Sequence, residues 1–316
     1  MCCLFGMLNY SGMKYAGADE LVNYLAQEAT ERGTDSTGIA YNKAGKLIIY
    51  KKPRSAFEMD FKGLESCICV SGHTRHATQG SHLKNYNNHP FMGKCDNIRF
   101  ALSHNGVLWN DSMLKKQYSL PADKIQTDSF VAVQLLEKFG MLNAENVSKM
   151  AELVQGSFTF TMTDNNDSLW IVKGSSPFSL VHFPDLELYV YASTDNILFT
   201  ALCRTELVEE IKSGNFEMIR VKSGDIIQID KWGQLKVNRF QYTDDFGMYD
   251  WRNYTSGSIM PYAVGNYWED DYNQQYLDDL KAVARSFGID GEFIDELYND
   301  GFMLEEIEDF LYSYDK

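Results

Sequence analysis

The sequence lacks any apolar run approaching the roughly 20 residues that a membrane span requires. Its first residues, MCCLFGMLNYSG, have no basic start and no long apolar core. They do not read as a signal peptide. Six cysteines stand at positions 2, 3, 67, 69, 95 and 203, in no disulfide-framework spacing. A cytoplasmic protein with free thiols is the expectation. Internal repeats are absent. So is a basic face for nucleic acid. The net charge is −15, and residues 244–316 hold 18 acidic and 4 basic side chains, which leaves the body nearly neutral. Neither nucleic acid nor a membrane is therefore expected as a partner. The acidic end reads most simply as solvated surface.

What is present suits a folded core. The 316 residues are 44% apolar and 14% aromatic, enough for one large domain or two smaller ones. Residues 3–8 alternate as a strand. Ala18–Arg32 reads as a helix, with Leu21, Val22, Leu25 and Ala29 on one face and Gly33 at its C-cap. Residues 36–41 and 46–51 read as a hairpin around NKAG. Residues 66–74 and 98–104 form another strand pair. The polar stretch 79–97 between them reads as a loop. Thr127–Phe139 and Asn143–Val154 are helical by period, the first opening on the capping residues Thr127 and Asp128.

From Gly156 to Tyr242 short strands dominate, with one helix near Asn196–Thr205. Strand runs with grouped helices argue for α+β layers. After Tyr242 the pattern changes. Residues 243–275 are acidic and aromatic without a period, and read as a linker. Residues 276–316 read as a small acidic helical extension in three pieces. Their faces are Leu277, Leu280, Val283, Ala284 and Phe287; then Phe293, Ile294 and Leu297; then Leu304, Ile307, Phe310 and Leu311.

The sharpest chemical feature is Met1-Cys2. Methionine before a small residue is commonly removed. Cys2 would then carry a thiol near pKa 8.5 beside an α-amine near 7.7–8.0, so one residue supplies nucleophile and base. Alone, a cysteine at position 2 is weak evidence. The ordered set is specific: MCCLFG (1–6), ERGTDSTG (31–38), GHTRHATQG (72–80), NNHPF (87–91), SHNGVLWN (103–110) and TDSF (127–130).

With these motifs the sequence resembles the class II glutamine amidotransferases, over about residues 2–242. The later ASTDNIL (192–198) resembles the same family's ASD strand end. The resemblance implies an N-terminal-nucleophile hydrolase domain, a four-layer αββα sandwich, here with a small C-terminal helical extension. It implies that Cys2 attacks the amide carbon of L-glutamine. Asn105 and Gly106 would hold the oxyanion, where losing one donor costs about 10²–10³ in rate. Arg75 would grip the α-carboxylate, with Thr78 beside it. Asp128 would hold the α-ammonium, Gln79 and His89 would line the pocket, and Arg32 would brace the N-terminal strand. No cofactor is implied.

Each residue also has a plainer reading. Arg75 and Asp128 read singly as surface charges, Asn105-Gly106 as a tight turn, and Asp128 as a helix cap. Two positions depart from the family pattern. Cys3 replaces a glycine, and His76 replaces an aromatic residue after the arginine. His73, His76, His82 and His89 cluster in sequence, yet His73 and His76 point to opposite faces of a strand. Cys67 and Cys69 share a face and read as core. No metal is expected.

Family members usually carry a second domain that consumes the ammonia. No phosphate loop or nucleotide motif follows residue 242, so the acceptor step is expected either to be absent or to lie on another chain, a synthase or ammonia-acceptor subunit. The acidic segment would dock it or cover the site, or simply pack as an extension. The oligomeric state is left open. Two other functions compete with glutamine hydrolysis: an N-terminal-nucleophile hydrolase of another amide, and a non-catalytic scaffold retaining the fold.

Overall fold

The structure, a computed structural model, describes residues 2–242 and, beyond them, 277–278, 280–281, 283–285, 289–299, 304, 307 and 311. The expected linker at 243–275, Phe287 and Phe310 lie outside the described residues. The chain divides into two compact units, Met1–Tyr242 and Thr243–Lys316.

The first half of the first unit runs β1 (Cys3–Asn9), α1 (Ala18–Glu28), β2 (Ser36–Lys43), β3 (Lys46–Lys52), β4 (Cys69–Arg75), β5 (Phe91–Cys95), β6 (Ile98–Leu108), α2 (Asp111–Gln117), α3 (Phe130–Phe139) and α4 (Ala144–Leu153). The second half runs β7 (Gly156–Asp164), β8 (Leu169–Lys173), β9 (Ser179–Phe183), β10 (Leu188–Ala192), α5 (Asp195–Leu202), α6 (Val208–Ser213), β11 (Glu217–Ile219), β12 (Asp225–Ile229) and β13 (Leu235–Arg239). One sheet has the order β11-β9-β10-β1-β4-β2-β3 and the other β13-β12-β8-β7-β6-β5. Pairing is antiparallel throughout both sheets.

Period-two burial sorts the strands into layers. On β1, Cys3, Phe5 and Met7 pack with Leu21, Val22 and Leu25 of α1 and Ile197 and Leu198 of α5. Leu4 and Leu8, on the other face, pack with Ile171 of β8 and Ile227 of β12. Phe100 and Leu102 of β6 and Phe158 and Phe160 of β7 pack with Val131 and Leu135 of α3 and Val147 of α4. The result is the four-layer αββα sandwich.

Several local readings change. The first helix stops at Glu28 and tightens into a 3-10 turn over Ala29–Glu31. Gly33 is not its C-cap. A Cβ there would lie 2.5 Å from the Arg75 carbonyl carbon, so glycine serves the close approach of β4. The stretch read as a loop from 79 to 97 ends in β5, where Phe91, Gly93 and Cys95 are buried and Met92 and Lys94 exposed. The helix expected from Thr127 begins at Phe130, and no side chain caps it. Two helices, α5 and α6, replace the single one expected near 196–205. Cys67 and Cys69 go to different clusters: Cys67 lies before β4 with the α1 layer, and Cys69 lies between the sheets. Cys3 is core.

In the second unit, α7 spans Gly291–Asn299. Leu277, Leu280, Ala284, Ile294, Leu304, Ile307 and Leu311 are buried together, with Val283 and Leu297 partly buried against them. Phe293 is exposed rather than on the expected face. Neighbours on a helix point about 100° apart, and Ile294 takes the core side.

Candidate active site

Cys2 stands immediately before β1, a strand inside the first sheet between β10 and β4. Register pairs Cys3 with Thr74, which sets Cys2 beside the end of β4. Alternation gives Cys2 the same side of its strand as Leu4, and Arg75 the same side as Cys69, so both turn toward the inter-sheet side. The Cys2 thiol donates to the His76 carbonyl at 3.6 Å. Burial pushes this thiol up, while Arg75 pulls it down and Asp128 pushes it up. The net shift is upward, so the resting group is a thiol that needs a base. Arg32 Nε donates to the Cys2 carbonyl at 3.2 Å, holding the backbone that carries this thiol.

Arg75 is buried, at 2% exposure. Its Nη1 donates to Asn88 Oδ1 at 2.9 Å, and its Nη2 donates to the carbonyls of Gln79 and, at 3.1 Å, Gly80. All three acceptors are neutral. Among the described residues no carboxylate lies within ion-pair distance of it. Burial lowers its pKa, but a guanidinium stays charged. The turn after Arg75 is pinned by Asp35: its backbone N–H donates to the Arg75 carbonyl at 2.9 Å, and its carboxylate accepts from Ala77 N at 2.7 Å. Thr78 and Gln79 are exposed on this turn, as is His76.

Asp128 is the complementary case. It is 5% exposed. Instead of capping α3, its Oδ2 accepts from Leu108 N at 2.6 Å and its Oδ1 from the Ser129 hydroxyl at 3.2 Å. Ser129 Oγ in turn lies 2.8 Å from His104 Nδ1. His104 Nε2 lies 3.4 Å from the Ser157 carbonyl oxygen. No basic group among the described residues is within ion-pair distance of Asp128.

Asn105 is buried on β6, and its Nδ2 donates to Ser193 Oγ at 3.4 Å. Ser193 Oγ also accepts from Leu4 N at 2.8 Å. One hydroxyl thus joins Asn105 to the strand that carries Cys2. Gly106 has φ +132°, and a Cβ would fall 2.0 Å from the Ser157 carbonyl oxygen. Only glycine fits that approach to β7.

His89 is enclosed rather than facing solvent. Its ring lies 4.2 Å from that of His73 and 4.4 Å from that of Phe91, and neither ring nitrogen has a hydrogen-bond partner among the described residues. Burial holds His89 well below the usual histidine range, and lowers His73 to about 3. Burial lowers His104 as well. All three are neutral at neutral pH. Among the described residues no group of three or more His, Cys, Asp or Glu is placed to hold a metal ion.

The structure therefore brings Cys2, Arg75 and Asp128 within electrostatic reach of one another and ties Asn105 to β1. It leaves Thr78 and Gln79 at the rim, and His89 in the core. Ser193, Asn88 and Asp35 carry contacts that the motifs did not assign. Ser193 had a signal in the ASTD segment, and Asp35 in ERGTDSTG. Asn88 stood inside NNHPF without a role.

No family model matches the chain. It is 30% identical over 254 residues to the glutamine–fructose-6-phosphate aminotransferase [isomerizing] of Staphylococcus aureus (strain Mu50 / ATCC 700699), covering 77% of this chain and 39% of that protein. It is 33% identical over 188 residues to the protein of the same name from Geobacillus kaustophilus (strain HTA426), covering 56% of this chain and 30% of that one. The chain thus spans about two fifths of the length of the first of these relatives. Among solved structures it is similar to a glutamine phosphoribosylpyrophosphate amidotransferase from B. subtilis, with TM-score 0.60 and 22% identity over 77% of this chain and 50% of that one. That likeness is one of fold.

Proposed function

Because the chain belongs to the class II glutamine amidotransferases, whose glutaminase region has the N-terminal-nucleophile hydrolase fold, we propose that it hydrolyses the side-chain amide of L-glutamine through a Cys2 thioester. One observation carries this reading. Two buried, opposite charges, Arg75 and Asp128, act on the same thiol, and among the described residues neither has an ion-pair partner. Buried charges are ordinarily paired. A ligand with one carboxylate and one ammonium, the two ends of a free amino acid, completes both.

The proposed steps follow from the chain's own groups. Loss of Met1 exposes the Cys2 α-amine, which takes the thiol proton. The thiolate attacks the amide carbon. The oxyanion is met by the second N–H of Asn105, whose first is held by Ser193, and by the Gly106 backbone N–H. The α-ammonium returns its proton to the leaving nitrogen, which departs as ammonia. Water, deprotonated by the same amine, then cleaves the thioester to glutamate.

From the relatives' printed name, glutamine carries over as the nitrogen donor. The ammonia is proposed to reach an acceptor on a synthase partner. Six unbridged cysteines fit a reducing compartment, and a cytoplasmic location is proposed on that ground. Among the described residues no helix is long and apolar enough to cross a membrane.

The test is the intact mass before and after 6-diazo-5-oxo-norleucine. The expected result is a protein short of one methionine, with a single adduct on Cys2 that excess glutamine blocks. A processed protein that takes no adduct and releases no ammonia from glutamine overturns the proposal.

A further inference from the structure

Asn87 and Asn88 are fully buried, and the proposed chemistry uses neither. Asn88 Oδ1 accepts from Arg75 Nη1 at 2.9 Å. Its Nδ2 donates to the His82 carbonyl at 2.8 Å and to Asn85 Oδ1 at 3.3 Å, and its carbonyl accepts from Lys51 Nζ. Asn87 serves a different segment. Its Oδ1 accepts from Gln126 N at 2.9 Å, and its Nδ2 donates to the Ser81 carbonyl at 3.1 Å and to Gln126 Oε1 at 3.2 Å. Gln126 stands two residues before Asp128. One dipeptide therefore touches the Arg75 side chain on one hand and the approach to Asp128 on the other. The carbonyls of four consecutive residues, 79–82, are shared out among three side chains: Arg75 takes Gln79 and Gly80, Asn87 takes Ser81, and Asn88 takes His82.

We propose that Asn87 and Asn88 are positioning residues that set the separation of Arg75 from Asp128, and so select a free α-amino acid as the amide donor. The proposal rests on the glutaminase reading above. An amide is the residue type this task needs. It offers an acceptor to orient the guanidinium and donors to hold the neighbouring carbonyls. It also adds no charge. A carboxylate at position 88 would orient Arg75 equally well, but would neutralise it and compete with the substrate's own carboxylate. The rigidity matters because a displacement of about 1 Å in a binding group can cost about 10²-fold in turnover. Lys51, bound to the carbonyls of Asn88 and, at 2.8 Å, Pro90, holds the dipeptide from the β3 side.

The test compares the full-length wild type with Asn88→Asp and Asn87→Asp, both near-isosteric. Glutamine KM and kcat are measured, together with the rate at which neutral iodoacetamide alkylates Cys2. For Asn88→Asp the expected result is a KM raised about tenfold or more, with kcat within about threefold and the alkylation rate unchanged at its high-pH plateau, where the pull of Arg75 on the thiol no longer counts. For Asn87→Asp, which keeps an acceptor for Gln126 N, the expected rise in KM is about threefold or more, again with alkylation unchanged. A general structural role would instead lower kcat and change alkylation together. KM within about twofold of wild type in both variants overturns the proposal, and a rise in the Asn88 variant alone overturns its two-ended form. If Asn88→Asp does not fold, Asn88→Ser, which keeps a neutral acceptor, replaces it. Loss of folding in both makes Asn88 a stability residue and overturns the proposal. A wild type that hydrolyses no glutamine removes the glutaminase reading itself, whatever the variants do.

Discussion

Ser193 contributes one hydroxyl that accepts two bonds, from Leu4 N and from Asn105 Nδ2. Removing it frees Asn105 to rotate without touching Arg75 or Asp128. Ser193→Ala is expected to lower kcat about tenfold with glutamine KM nearly unchanged, read from steady-state ammonia release. Gly106→Ala is harsher, because the new methyl would overlap a β7 carbonyl and the φ of +132° disfavours any side chain. That variant is expected to lose at least about 10²-fold in rate and to melt earlier, by calorimetry. At this scale the sequence was most readable where a motif places a charge or a glycine at a strand end, as with Arg75 and Gly106. It held Asn87 and Asn88 inside the NNHPF motif but gave neither a contact or a role. A polar residue in a polar stretch looks the same whether solvated or fully enclosed, and only the fold shows which. Of the two readings of Asp128, α-ammonium holder and helix cap, the cap does not hold, because capping chemistry and acceptance from a distant backbone N–H use the same carboxylate.

Helices and strands were readable in proportion to the length and contrast of their pattern. On α3, expected as a helix from its period, Val131, Leu135 and Leu136 are fully buried. Leu135→Ala should cost about 2–5 kcal/mol of unfolding free energy, measured by urea denaturation. Asn143 caps α4, accepting from Asn146 N at 2.9 Å. Asn143→Ala should cost about 1 kcal/mol in the same assay. β5 escaped notice because an edge strand of five residues with two exposed positions carries little apolar signal. α6 escaped because none of its residues is buried, so its pattern offers no contrast between faces. The 3-10 turn after α1 sits inside a run whose apolar period continues to Ala29, and period alone does not separate the two helix types.

At the scale of the whole molecule, the main clusters divide cleanly. Three large ones lie within Met1–Tyr242, and the fourth is confined to the second unit. A chain ended after Tyr242, which keeps the packing of Phe240 and Tyr242 on Phe158, is expected to retain its main melting transition and its glutaminase rate. Loss of either would show that the first unit depends on the second. Acid acts on the first unit through its enclosed histidines. His73 titrates near 6.5 when unfolded but is lowered to about 3 when folded. Between those values the unfolded chain binds more protons, so stability rises with pH across the window and is lost as pH falls through it. The melting temperature should drop between pH 6.5 and about 3, and His73→Gln should flatten the slope.

Arg75, buried and hydrogen-bonded among the described residues to neutral acceptors, has one more consequence. Glutamine and glutamate present identical α-carboxylates and α-ammonium groups, so the receptor proposed for Arg75 and Asp128 would not tell reactant from product. Whatever holds the amino acid for attack also holds it afterwards. The enzyme should therefore show strong product inhibition by glutamate, with an inhibition constant within about an order of magnitude of the glutamine KM, and progress curves that bend early unless glutamate is continuously removed.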